Sequence, residues 1–158
     1  MSGNENIRVG SKLIEGGRVY KIFKIEEEII YYKPYFSKKA DTSMICSIPK
    51  HNLSSTLIRE PLSKKDIQIF LKGLAIEPEN YEIDNNEAKN ILNLNDLKET
   101  MKLLCRYWKE KNKTETNFSE SKKRVLVAAA ERICEEIACV FEISLEKAEN
   151  KLTAALTP

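Results

Sequence analysis

Few residues in this chain have the types and spacing that catalysis needs. His51 is the only histidine, and Cys46, Cys105, Cys134 and Cys139 are the four cysteines. A Cys-His nucleophile needs an imidazole within reach of the thiol and a third group to orient it; His51, between Pro49 and Asn52, reads as a surface or turn residue. Zinc ligands come in closely spaced pairs, whereas Cys134 and Cys139 stand five apart with no second pair. Cys105 and Cys134 fall on apolar helical stripes, where a free thiol behaves as a small buried hydrophobe. Gly16-Gly17 lacks the third spaced glycine and the following helix of a phosphate loop. Glu26-Glu27-Glu28 reads as a solvated acidic corner at a strand turn. With no convergent polar set, the expectation is a chain that is not an enzyme and uses no metal, cofactor or small-molecule substrate.

The remaining chemistry is charge. The net formal charge of +2 hides a strong partition. Residues 1–74 carry 13 basic and 8 acidic groups, 75–100 carry 2 and 7, 101–132 carry 9 and 4, and 133–158 carry 2 and 5. The basic block 101–132 contains Lys109, Lys111, Lys113, Lys122, Lys123 and Arg124. Such a block is either a solvated helix face or a nucleic-acid surface. Trp108 lies within Arg106-Tyr107-Trp108-Lys109, an interleaving that stacking could use, but it shares the helical spacing of Leu97, Met101 and Leu104 and is expected in the core. No apolar run is long enough to span a bilayer, and MSGNENIRVG lacks the apolar core of a signal peptide, so the expected location is the cytoplasm.

The elements that must position these residues divide by period. Residues 9–49 are rich in β-branched and aromatic types with short turns at Gly10 and Gly16-Gly17, and Val19 to Ile25 nearly alternate. Strands near 29–35 and 43–48 are expected to pair across the polar loop 37–42. Several short strands in so few residues suggest a small bent barrel. Ser63 can cap a helix whose Ile67, Phe70, Leu71 and Leu74 share one face, with Gly73 and Pro78 at its end. A helix is expected from about 96 to 111, a polar loop over 112–117, a long helix capped by Ser119 and a last one capped by Ser144.

Three ordered blocks support a family resemblance: Ile30-Tyr31-Tyr32-Lys33-Pro34-Tyr35-Phe36, then Met44-Ile45-Cys46-Ser47-Ile48-Pro49, then Arg59-Glu60-Pro61-Leu62-Ser63-Lys64-Lys65-Asp66. A fourth is the tail from Phe118 to Leu152, with Ile143-Ser144-Leu145-Glu146-Lys147-Ala148-Glu149 opening its last helix. Together they resemble the CarD-like bacterial transcription regulators, over about residues 7–156. The resemblance implies an α+β chain of two domains. Residues 1–75 would form a Tudor-like barrel with a terminal helix, and residues 76–158 a compact all-helical domain.

It also implies a function. The barrel would bind the β subunit of RNA polymerase by strand-edge addition through Ile45, Cys46, Ser47, Ile48 and Pro49. The helical domain would touch promoter DNA at the upstream edge of the melted region and stabilise the open complex, placing the protein in the cytoplasm with the nucleoid. Backbone contacts would come from Lys122, Lys123 and Arg124 in the first turn of the long helix, where amides already favour phosphate, and from Lys109, Lys111 and Lys113 across the loop. Glu77-Pro78-Glu79-Asn80-Tyr81 matches the family's wedge segment, with Tyr81 in place of its tryptophan; Tyr81 either presses into the minor groove or staples the linker. The chain departs from the family at Glu82, Ile83, Asp84 and Glu87, where basic residues are usual. Other departures are Ser47, where arginine often precedes the last strand's proline motif, and the shortened Glu15-Gly16-Gly17 turn. The alternative implied is a polymerase-binding interaction module without promoter contact.

Overall fold

A computed structural model describes residues 7–36, 43–74, 82–113 and 118–157. The chain is α+β and separates into two compact units, Met1–Pro61 and Leu62–Pro158.

The first unit is built on four antiparallel strands in sequence order: β1 Lys12–Glu15, β2 Arg18–Glu26, β3 Ile29–Pro34 and β4 Cys46–Pro49. Both tight hairpins turn through two residues of positive φ, the geometry that matches the twist of the strands they join. Gly16 and Gly17 (58° and 80°) supply it freely at the first, but Glu27 and Glu28 (51° and 63°) take it with full side chains at the second. That left-handed backbone costs roughly 1–2 kcal/mol per residue. The sheet curls because β2 carries a register shift at Phe23 and because the chain beyond β4 returns to β1. Ile14 N–H donates to the Arg59 carbonyl at 2.7 Å, and Arg59 N–H returns a 3.1 Å bond to the Ile14 carbonyl. The result is a curled half-barrel.

Strand alternation sorts the side chains. Leu13, Tyr20, Ile22, Ile30 and Tyr32 face inward and join Ile7 and Leu53 in one core, against which Cys46 and Ile48 pack. Each fully buried aliphatic side chain contributes about 1.5–3 kcal/mol. Tyr20 and Tyr32 meet edge to face, 5.4 Å between centroids. The Tyr32 hydroxyl donates to Glu15 at 3.2 Å; burial and then that carboxylate push its ionisation well above the usual tyrosine range.

Among the described residues the second unit holds five helices: α1 Lys64–Gly73, α2 Asn85–Asn93, α3 Leu97–Lys113, α4 Glu120–Phe141 and α5 Leu145–Leu156. The starts follow the expected caps. Ser63, Ser119 and Ser144 accept from the amides of Asp66, Lys122 and Lys147, and Asp96 from that of Glu99.

Three expectations need correction. First, α1 belongs to the helical unit and does not close the N-terminal one, so the boundary falls at Pro61 and not near residue 75. α1 packs against α4 and α5, and just before it the buried Glu136 of α4 accepts the Leu62 N–H at 2.9 Å. Second, α2 was not expected. Its signal is Asp84, whose carboxylate accepts from Glu87 N–H at 2.8 Å, followed by Ala88 and Leu92 on one face. Arg132 of α4 secures the other end by donating to the Leu92 carbonyl at 3.1 Å. Third, Trp108 is only partly buried, while its neighbour Tyr107 is 1 % exposed. Tyr107 donates to the Ile83 carbonyl at 2.9 Å and meets the Phe118 ring edge to face.

Tyr107→Ala is therefore expected to cost about 3–5 kcal/mol, the range of large aromatic deletions in cores. Trp108→Ala should cost distinctly less, and thermal melts of the two variants order them. None of the four cysteines is in a disulfide. Burial first, then Glu149 and Glu131, push the Cys134 thiol up to about 11. The unfolded thiol ionises near pH 8.5, so Cys134's share of stability is held below that pH and lost as pH rises toward the folded value. Cys134→Ala should flatten the alkaline limb of Tm against pH.

Candidate functional site

Two surfaces, one on each unit, gather the residues singled out in the sequence. On the N-terminal unit, β4 has a strand partner on one side only among the described residues, so its other side is an open edge. Its register with β3 sets Tyr32 opposite Cys46, Tyr31 opposite Ser47, Ile30 opposite Ile48 and Ile29 opposite Pro49. Lys50 N–H donates to the Glu28 carbonyl at 2.8 Å, which makes Ile48 and Cys46 the hydrogen-bonded positions of the ladder and Pro49 and Ser47 the others. Pro49 thus sits where a missing N–H costs nothing, and the Ser47 amide and carbonyl point to the open edge.

Side chains follow the same alternation. Cys46 and Ile48 turn to the core, and Ser47 faces solvent. Ile45, just before the strand, is 64 % exposed and Met44 is 40 % exposed. Burial, then Glu15, raises the Cys46 thiol, with Arg18 opposing. Of the five edge residues, Ile45 and Ser47 are accessible by side chain and Pro49 is partly so, whereas Cys46 and Ile48 turn their backbone groups to β3 and their side chains to the core. An open edge with exposed apolar side chains is what strand addition by a partner uses.

On the helical unit, Lys109, Lys111 and Lys113 occupy the last turns of α3, and Lys122, Lys123 and Arg124 the first turns of α4. Cations at a helix start oppose the helix dipole, and two of these three are matched by carboxylates. Lys122 pairs with Glu110 at 2.7 Å and lies over the Tyr107 ring, 5.5 Å from its centroid; both charged groups are less than a third exposed. Lys123 pairs with Glu120 at 3.1 Å on the surface. Arg124 is exposed, with no ion pair among the described residues. The expected phosphate trio is thus uneven: Lys122 fastens α3 to α4, Lys123 is shared with Glu120, and Arg124 is presented to solvent. Lys111 and Lys113 are exposed and Lys109 half-buried. Glu110 and Tyr107 were missed as partners because twelve or more residues separate them from Lys122, and only the antiparallel packing of α3 and α4 brings them together.

Tyr81 and the segment Glu77-Pro78-Glu79-Asn80 lie outside the described residues. Glu82, Asp84 and Glu87 just beyond are exposed. His51 is exposed in a short 3-10 turn, Lys50–Ser55. Among the described residues, no group of three or more His, Cys, Asp or Glu side chains could hold a metal ion, and no helix is long and apolar enough to cross a membrane. No protein-family model matches the chain, and no curated protein matches it.

Because Lys122 is committed to Glu110 and Tyr107, Lys122→Ala should lower stability by on the order of 1 kcal/mol, combining an ion pair with a ring contact. Arg124→Ala should be thermally silent. Equal melts for the two variants would return Lys122 to the solvated face.

Proposed function

We propose that this chain is a non-catalytic, CarD-like regulator of bacterial transcription initiation. The curled sheet of the N-terminal unit is read as a Tudor-like barrel, with the return of Arg59 to Ile14 supporting closure. It docks on the β subunit of RNA polymerase, and the helical unit touches the promoter backbone and favours the open complex. Such a protein acts only through its differential affinity for the melted state. The cytoplasm and nucleoid are the corresponding location. The observation that carries the reading is the open edge of β4, with the Ser47 backbone groups directed outward and Ile45 exposed beside it. Arg124, Lys111 and Lys113 support backbone contact without sequence readout.

The second reading, a polymerase-binding module that has lost promoter contact, is favoured by a specific observation. Lys122 and Lys123 are paired to Glu110 and Glu120, and the segment after residue 81 presents Glu82, Asp84 and Glu87.

Ser47→Glu places a charge at the open edge, and Ile45→Asp removes the apolar side chain beside it. Both should weaken capture of the β subunit by the full chain while leaving its melt unchanged; undiminished capture by both sinks the edge assignment. Binding to fork-shaped promoter DNA separates the two readings. Arg124→Ala should flatten the dependence of log affinity on log salt by about one unit if that side chain neutralises one phosphate. Salt-independent, negligible DNA binding by the parent chain would favour the second reading.

A further inference from the structure

The sheet of the N-terminal unit has an outer face, opposite the core, whose composition the edge-docking reading does not use. Lys12 of β1 lies directly across from Lys21 of β2, and Lys21 directly across from Lys33 of β3. Three lysines therefore share one register row across three neighbouring strands. Cross-strand partners sit about 5 Å apart at Cβ, and like charges so placed destabilise a sheet. Lys21, the middle one, faces a lysine on either side and is exposed.

The next row is aromatic. The register shift in β2 pairs Lys24 with Tyr31 and leaves Phe23 as the extra residue, so Phe23 and Lys24 both emerge on the outer face beside Tyr31. The Phe23 and Tyr31 rings lie 6.5 Å apart. Lys33 lies over Phe23 at 5.2 Å, Lys24 over Tyr31 at 5.2 Å, and Lys12 over Tyr35 at 5.3 Å. Among the described residues, Glu26 is the carboxylate paired into this group, at 2.7 Å from Lys24. The lysine row has no carboxylate in its own register positions.

We infer that the outer face of β1, β2 and β3 is a binding surface for single-stranded nucleic acid, with Lys12, Lys21 and Lys33 meeting consecutive phosphates and Tyr31 and Phe23 receiving bases. Charge complementarity selects a polyanion, because an anion threaded along the row turns three mutually repelling cations into three contacts. The aromatic row beside it selects a strand with unpaired bases over an acidic peptide: every base offers a flat face to an aromatic ring, and a carboxylate offers none. A double helix hides those faces. Tyr31 adjoins Ser47 across the β3–β4 ladder, but the lysine row involves no residue of the β4 edge, and the inference stands whether or not polymerase is the partner.

The test is equilibrium binding of the full chain to a labelled thymidine oligomer of about 12 nucleotides, within the usual site size for sheet-based single-strand binders, over a range of salt. The triple variant Lys12→Ala, Lys21→Ala, Lys33→Ala should lower the slope of log affinity against log salt by about 2 units, as three lost phosphate contacts on a single strand require. Tyr31→Leu should weaken binding on the order of five-fold or more, by loss of one base stack. Lys21→Thr should bind more weakly yet melt no lower than the parent, because it removes the repelled middle charge and keeps a strand-forming residue; this separates lost contact from lost fold. The inference is overturned by an unchanged slope in the triple variant, by Tyr31→Leu binding like the parent, or by polyglutamate binding as tightly as the oligomer. Loss of the slope in Lys122→Ala, Lys123→Ala, Arg124→Ala but not in the sheet triple would also overturn it, assigning the strand to the helical unit.

Discussion

The register of β2 between its two neighbours is the constraint on which the N-terminal unit depends. Side chains alternate with a period of two, so a slip of one residue would send Ile22 and Tyr20 to solvent and Lys21 to the core. The register holds because both hairpins turn through two residues and because the inward set meets Leu13, Ile30 and Tyr32 in one packed cluster. A single interruption at Phe23 is tolerated. It lets Ile25 still pack against the core while Phe23 and Lys24 are both delivered outward. One irregular residue thereby bends the sheet and sets an aromatic ring beside the lysine row. Everything assigned to the outer face and to the β4 edge follows from that alignment.

The helical unit is held by different means. Its apolar stripes supply most of the stabilisation, but its geometry is fixed at a few buried polar points. Glu136 holds Leu62 at the start of the unit, and Tyr107 holds Ile83 ahead of α2. Arg132 holds the end of α2, its own charge made harder to keep by burial. Each joins residues at least two dozen positions apart, so each defines how a connecting segment enters or leaves the bundle. Removing one partner of such a bond leaves the other unsatisfied in a dry environment, which is costlier than the bond is worth in water.

Charge is distributed accordingly. Where a lysine has a structural duty, as Lys122 does, a carboxylate and a ring are packed against it. In the strand row, lysine faces lysine, an arrangement folding alone does not favour. Lys12 and Lys33 also lie over rings, so what sets the row apart is the lysine opposite each one.

Local signals in the sequence determined much of this. The Gly16-Gly17 turn, the alternation through Val19 to Ile25, and the caps at Ser63, Ser119 and Ser144 depend on residues within a few positions of one another, and each element they define is present. The buried state of Cys105 and Cys134 followed from helical period alone. What the sequence could not express is what lies across a strand or across a bundle. Tyr107 and Trp108 are adjacent and both large, and which is core depends on how far α3 is rotated against its neighbours, a rotation that a stripe of mixed size leaves open by one position. The grouping of α1 with the helical unit rests on packing against α4 and α5 and on Glu136, seventy-four residues beyond Leu62. The lysine row is invisible in order of sequence, because Lys12, Lys21 and Lys33 are nine and twelve residues apart and become neighbours only when three strands pair in this register. Periodicity determines which face a residue takes, and tertiary pairing decides what it faces.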